Sequence, residues 1–164
     1  MAMEPASAIF QHLRRVLQQT YFLRSMTSGE LDRLVTCLKP LRVFKGYEII
    51  QQGQPGDAFY LIASGRVTVW VDKGSYRAKA AELKADDYFG EMALISNEPR
   101  SATVMAEGLT ELFALQKSDF ERILMKNPAI AEKIRKVHQE RGIATSRIRE
   151  QEGLGEGSGS SNDR

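Results

Sequence analysis

The order of hydrophobic periods in this sequence predicts an α+β domain with helices gathered at the two ends of a β-roll. Apolar residues repeat at helical spacing through the first 40 positions and again from Ser118, while from Leu41 to about Lys117 the period falls to two. Glycines at 46, 53, 56, 65, 74, 90 and 108 interrupt the short alternating runs at turn-like intervals, the pattern of a sandwich, roll or barrel. Helices and strands are segregated along the chain, which argues for an α+β domain.

The elements follow in order. Ile9, Leu13, Val16 and Leu17 define a first helix, and Leu31, Leu34, Val35 and Leu38 a second. Thr27 with Glu30 three residues on is a capping box that starts the second helix, and Pro40 is expected to stop it. In the strand block, Phe59, Leu61 and Ala63 oppose Tyr60 and Ile62, and Val67, Val69 and Val71 oppose Thr68 and Trp70. Ser118 is expected to cap a helix with Phe120, Ile123 and Leu124 on its apolar face. Asn127 and Pro128 suit the cap and first position of a last helix, which carries Ile130, Ile134 and Val137 on one stripe and weakens at Gly142. The expected organisation is a helical segment 1–40, a β-roll 41–117, two closing helices within 118–150 and a disordered, Gly/Ser-rich tail 151–164.

A chain of 164 residues with 42% hydrophobic content can build one core, and a net charge of +2 gives no field that argues for nucleic acid or a membrane surface. The single cysteine, Cys37, excludes an internal disulfide and suits a reducing compartment; its apolar helical context predicts packing rather than nucleophilic work. No run has the roughly 18 apolar residues of a membrane span, and the first residues lack a secretory pattern, so a cytoplasmic location is expected.

The stretch "YFGEMALISNEPRSATV", Tyr88 to Val104, concentrates the chemistry. Gly90 permits close backbone approach, and Glu91 to Ile95 can form one helical turn whose first amides have no partner within it, an anion-binding arrangement. Arg100 adds a planar fork suited to two oxygens of one phosphate. A carboxylate beside a phosphate is repulsive unless it serves an uncharged donor, and a ribose hydroxyl is such a donor. Two readings stand on these residues alone: Glu91 and Arg100 brace a loop as an ion pair, or they grip a nucleotide at its sugar and its phosphate.

The segment "FGEMALISNEPRSATV", Phe89 to Val104, resembles the phosphate-binding cassette of the cyclic nucleotide-binding domain family, which includes bacterial catabolite activator proteins, regulatory subunits of cyclic-nucleotide-dependent kinases and cyclic-nucleotide-gated channels. "GQPGDAFYLIASGRVTV", Gly53 to Val69, resembles the family's second signature, and the likeness spans about residues 20–142. The resemblance implies an eight-stranded antiparallel, jelly-roll-like β-roll with the cassette at 89–104. It gives Glu91 the ribose 2′-hydroxyl, Arg100 the cyclic phosphate, and the amides around Gly90, Met92 and Ala93 the rest of the cradle, with Ala102 small at a crowded position. Ser101 offers a hydroxyl to the phosphate or to the 2-amino group of a syn guanine, which implies cAMP at least as tight as cGMP. Val69 and Leu83 fall where the family's strands flank the purine, and equally read as roll core. "IAEKIRKVHQERG", Ile130 to Gly142, is similar to the last helix of prokaryotic cyclic-nucleotide-regulated potassium channels, which gives Arg135 a stacking role on the base; the other reading is a solvated surface arginine.

The implied mechanism is a switch. Ligand tightens the turn at Glu91 to Ile95, Phe120, Ile123 and Leu124 repack, the last helix folds over the base, and the N-terminal helices carry the change to an effector. A channel is the first expectation for that effector, with a transporter or kinase as others. Three competing classes fit less well. A transcription factor needs a further DNA-binding domain, and only 22 residues follow Gly142. A cupin-type metalloenzyme needs clustered ligands, whereas His12 and His138 lie at opposite ends. A nucleotide-insensitive interaction module has no need of Glu91 and Arg100 together. No catalytic residue, metal or prosthetic group is expected; the ligand is cAMP or cGMP.

Overall fold

A computed structural model of the chain describes residues 7–20, 23–24, 26–124, 129–136 and 139–140. Helix α1, Ala8–Gln19, begins where the Ser7 hydroxyl accepts from the Phe10 amide at 3.2 Å. It buries Phe10, Leu13, Val16 and Leu17; Ile9 is exposed, so the buried stripe starts one residue later than the spacing predicts. Helix α2, Ser28–Cys37, has the predicted capping box, with Glu30 N to Thr27 Oγ1 at 3.2 Å and Thr27 N to Glu30 Oε1 at 2.8 Å. Leu31, Leu34 and Val35 face inward, and Cys37 is half-buried against the same core.

Pro40 does not follow directly on α2. The helix ends at Cys37, and Pro40 lies inside strand β1, Lys39–Val43, opposite Phe113. Proline drives the residue before it to extended geometry, so Lys39 already belongs to the strand; β1 is an edge strand, where a missing N–H is tolerated.

The remaining strands are β2 Glu48–Ile50, β3 Ala58–Ser64, β4 Arg66–Asp72, β5 Arg77–Lys84, β6 Tyr88–Phe89, β7 Thr103–Ala106 and β8 Thr110–Gln116. They form two four-stranded antiparallel sheets in the orders β1-β8-β3-β6 and β2-β7-β4-β5, the eight-stranded roll predicted. Period-two alternation sorts β3 and β8 between two cores. Phe59, Leu61, Phe113 and Leu115 pack with the helices, while Ile62 and Leu112 point into the roll with Val43, Ile50, Val67, Phe89, Val104 and Ala106. Both faces of these strands are therefore apolar.

Helix α3, Lys117–Leu124, follows β8 without a break. Ser118 lies inside its first turn, exposed, and is not the cap: the Lys117 amide donates to the Asp57 carbonyl at 2.8 Å, which starts the helix a residue earlier than predicted. Phe120 and Ile123 are buried on the helical side. Residues 129–136 are helical and bury Ile130 and Ile134 in that core. Asn127, Pro128, Val137, His138, Gly142 and the 151–164 segment lie outside the described residues, as does the side chain of Leu124.

Candidate functional site

The site begins where β6 stops. Gly90 takes a left-handed conformation, φ +82°, which costs a residue with a Cβ about 1–2 kcal/mol. It is also crowded: a Cβ there would stand 2.9 Å from Arg100 Nη1 and 3.1 Å from the Ala58 carbonyl oxygen. From it springs a 3-10 turn, Glu91–Leu94, shorter than the turn to Ile95 that the sequence suggests, since Ile95 is its C-terminal cap. The Ala93 amide donates to the Gly90 carbonyl at 3.2 Å, and those of Ile95 and Ser96 both donate to Met92 at 3.1 and 3.0 Å. Leu94 is fully buried in the helix-side core, with Met92 and Ile95 packed against it, so the turn is anchored by its apolar side. Glu91 is 4% exposed, an unusual position for a carboxylate.

Arg100 is fixed through its main chain. Its amide donates to the Gln54 carbonyl and its carbonyl accepts from the Gly53 amide, each at 2.8 Å, and Pro55 bridges to Pro99 alongside. The Thr103 hydroxyl accepts from the Gln52 amide at 3.0 Å, extending the join. The side chain then crosses to the cassette: Nη2 donates to the Ala58 carbonyl at 2.8 Å and Nη1 to the Gly90 carbonyl at 3.3 Å. Two of the guanidinium's five N–H groups are used in this way.

The electrostatics set one charge against its burial. Burial pushes the Arg100 guanidinium down from the usual arginine range, and its attraction to Tyr60, Asp57 and Glu91 opposes that. Burial likewise pushes the Tyr60 phenol up, with the Arg100 charge pulling it back. Tyr60 stacks on Phe89, ring centroids 5.2 Å apart, just ahead of Gly90. A half-buried guanidinium favours a compact anion that replaces the solvation it has lost.

The cassette thus brings Gly90, Glu91, Met92, Ala93, Arg100, Ser101 and Ala102 into one continuous segment, with Ser101 exposed and Ala102 half-buried. Val69 on β4 and Leu83 on β5 are half-buried against the roll interior that also holds Phe89. Arg135 stands apart, exposed on the 129–136 segment and ion-paired with Glu132 at 3.6 Å. His12 is exposed and bonds Asp86 at 2.9 Å. Sequence reasoning missed Gly56, Tyr60 and the Ala58 carbonyl, all of which act on Arg100. The "PGD" triplet ahead of β3 was the available signal, but nothing local in it points to a residue 44 positions away. Among the described residues no group of three or more His, Cys, Asp and Glu is placed to hold a metal, and no helix is long and apolar enough to cross a membrane.

The roll thus carries a left-handed glycine, a buried carboxylate and a backbone-braced arginine on one short segment. The model for the cyclic nucleotide-binding domain matches residues 40–127, and the chain belongs to that family. It is 34% identical over 108 residues to a cAMP-dependent protein kinase regulatory subunit of Mucor circinelloides f. lusitanicus, a match spanning 66% of this chain and 25% of that protein. It is 41% identical over 118 residues to a cyclic nucleotide-gated potassium channel of Rhizobium etli, spanning 72% of this chain and 32% of the channel. The chain therefore matches a third or less of the length of these curated relatives. Among solved structures, the regulatory domain of Toxoplasma gondii PKA with cAMP superimposes with a TM-score of 0.67 at 27% identity, covering 79% of this chain and 49% of that one.

Proposed function

We propose that this chain is a cAMP sensor that also accepts cGMP, gripping the ligand with Glu91 on the ribose 2′-hydroxyl and Arg100 on the cyclic phosphate. The observation that carries the reading is the placement of the Arg100 guanidinium, held by the carbonyls of Ala58 and of Gly90, the residue just before the buried Glu91. The charge is fixed before ligand arrives, so little reorganisation is needed on binding. The Gly90, Met92 and Ala93 main chain completes the phosphate cradle, Ala102 leaves room for it, and Ser101 adds a hydroxyl. Val69 and Leu83 wall the purine, and Arg135 leaves Glu132 to cover the base when the last helix closes.

The switch runs through the helix-side core. Leu94 from the cassette shares that core with Phe120, Ile123, Ile130 and Ile134, and with Phe10 and Leu31 of the N-terminal helices. Packed cores shift between discrete packings rather than deforming smoothly, so a ligand that draws in the turn biases the helices at both ends. The effector is a channel, in line with the 41% identity to the Rhizobium etli channel, and the domain works in the cytoplasm. A second reading, control of a kinase, is favoured by the likeness to kinase regulatory subunits. No nucleic acid and no catalytic step are involved.

Isothermal titration with cAMP and with cGMP tests the sensor. Saturable heat is expected for both, with cAMP at least as tight. Absence of heat for either at millimolar ligand would leave a nucleotide-insensitive interaction module.

A further inference from the structure

We infer that Gly56 is a positioning residue for Arg100: the missing side chain is the slot in which the guanidinium lies. The inference rests on the proposed ligand grip for its functional consequence. A Cβ built at Gly56 would stand 2.3 Å from Arg100 Nε, 2.4 Å from Cζ and 2.8 Å from Cδ, so the arginine side chain lies directly over the Gly56 backbone.

Conformation does not explain this glycine. Gly46, Gly53, Gly65, Gly74 and Gly90 have positive φ; Gly56 does not, so alanine fits its backbone without strain. All three near atoms belong to one side chain, and no other atom outside its chain neighbours comes closer than these. The slot also faces the two bonds that aim the fork: Ala58, whose carbonyl takes Nη2, lies two residues on, and Gly90, whose carbonyl takes Nη1, would itself press on Nη1 if it bore a Cβ. Two glycines from separate loops thus bracket one guanidinium. A methyl at Gly56 has to push the fork off both carbonyls, because the main chain of Arg100 is pinned to Gln54 and Gly53.

The test is a double-substitution cycle of wild type, Gly56→Ala, Arg100→Ala and the pair, read by ligand-free thermal unfolding and by cAMP titration. In the wild-type background Gly56→Ala is expected to lower Tm, and in the Arg100→Ala background to leave it unchanged or raise it, since the obstruction is gone and alanine stiffens the unfolded chain. The cAMP affinity of Gly56→Ala is expected to fall roughly ten- to a hundredfold, the range for losing a charged hydrogen bond, with no further loss when added to Arg100→Ala. The Arg100 Nε–Hε resonance of the ligand-free protein is expected to shift in Gly56→Ala. If the single variant does not fold, rescue by Arg100→Ala supports the slot and lack of rescue overturns it. Equal Tm shifts in both backgrounds, or wild-type cAMP affinity in Gly56→Ala beside a weakened Arg100→Ala, overturn it as well. A wild-type protein that takes no cyclic nucleotide overturns the ligand grip instead, and the ligand-free cycle still decides the slot.

Discussion

The Arg100 amide donates to the Gln54 carbonyl at 2.8 Å, so the loop that leads into β3 and the loop that leads into β7 are joined at the residue that carries the cassette's positive charge. The arginine is held first as backbone and only then as side chain, which lets its guanidinium lie half-buried at a fixed place. The consequences can be measured separately.

Glu91 is expected to act mainly on the sugar. Glu91→Ala should weaken cAMP binding by roughly tenfold or more, the worth of a hydrogen bond to a charged acceptor. The same substitution should cost 2′-deoxy-cAMP much less, because that ligand has no hydroxyl to offer. Titrating both ligands into both proteins checks this, and equal losses for the two would assign Glu91 a structural role.

Leu94 ties the cassette to the helices. It is fully buried, so Leu94→Ala is expected to destabilise the domain by about 2–5 kcal/mol through lost transfer energy and the cavity left behind. Urea unfolding measures the cost. A loss under about 1 kcal/mol would mean that the turn is not anchored in that core.

The two helix starts give a contrast. Thr27→Ala removes the side-chain half of a formed capping box, the bond from the Glu30 amide to Thr27 Oγ1, and is expected to cost about 1 kcal/mol. Ser118→Ala is expected to be near neutral, because Ser118 sits exposed within the first turn of α3. Thermal unfolding of both variants checks the pair.

Tyr60 carries a pH dependence. Its folded pKa is raised above the ordinary 10.0 by burial, so below that value both states hold the proton and its contribution is constant. As pH rises past 10.0 the unfolded chain loses the proton first and stability falls. The decline of Tm above that pH is therefore expected to be shallower in Tyr60→Phe than in wild type.

Much of the fold was legible because periodicity reports burial directly. The change from helical to alternating spacing at Leu41 and back at Ser118 falls within two residues of the real boundaries, since β1 begins at Lys39 and α3 at Lys117. The capping box was read correctly because its two hydrogen bonds are local. Pro40 and Ser118 were misplaced for opposite reasons: Pro40 acts on its predecessor and joins an edge strand, and the Ser118 position is set by a distant carbonyl, Asp57. The cassette could be read as chemistry, since glycine, acid and arginine lie on one stretch. Gly56, Ala58 and Tyr60 could not, because their relation to Arg100 exists only after β3 pairs with β6 and the preceding loop pairs with Pro99 and Arg100.

The most direct measurement is a calorimetric titration of cAMP into wild type and into Arg100→Ala, with thermal unfolding to establish that both are folded. The account predicts saturable binding to wild type and an affinity lower by roughly a hundredfold in the variant, because a buried charged pairing with the phosphate is gone. Undiminished cAMP affinity in folded Arg100→Ala would contradict it.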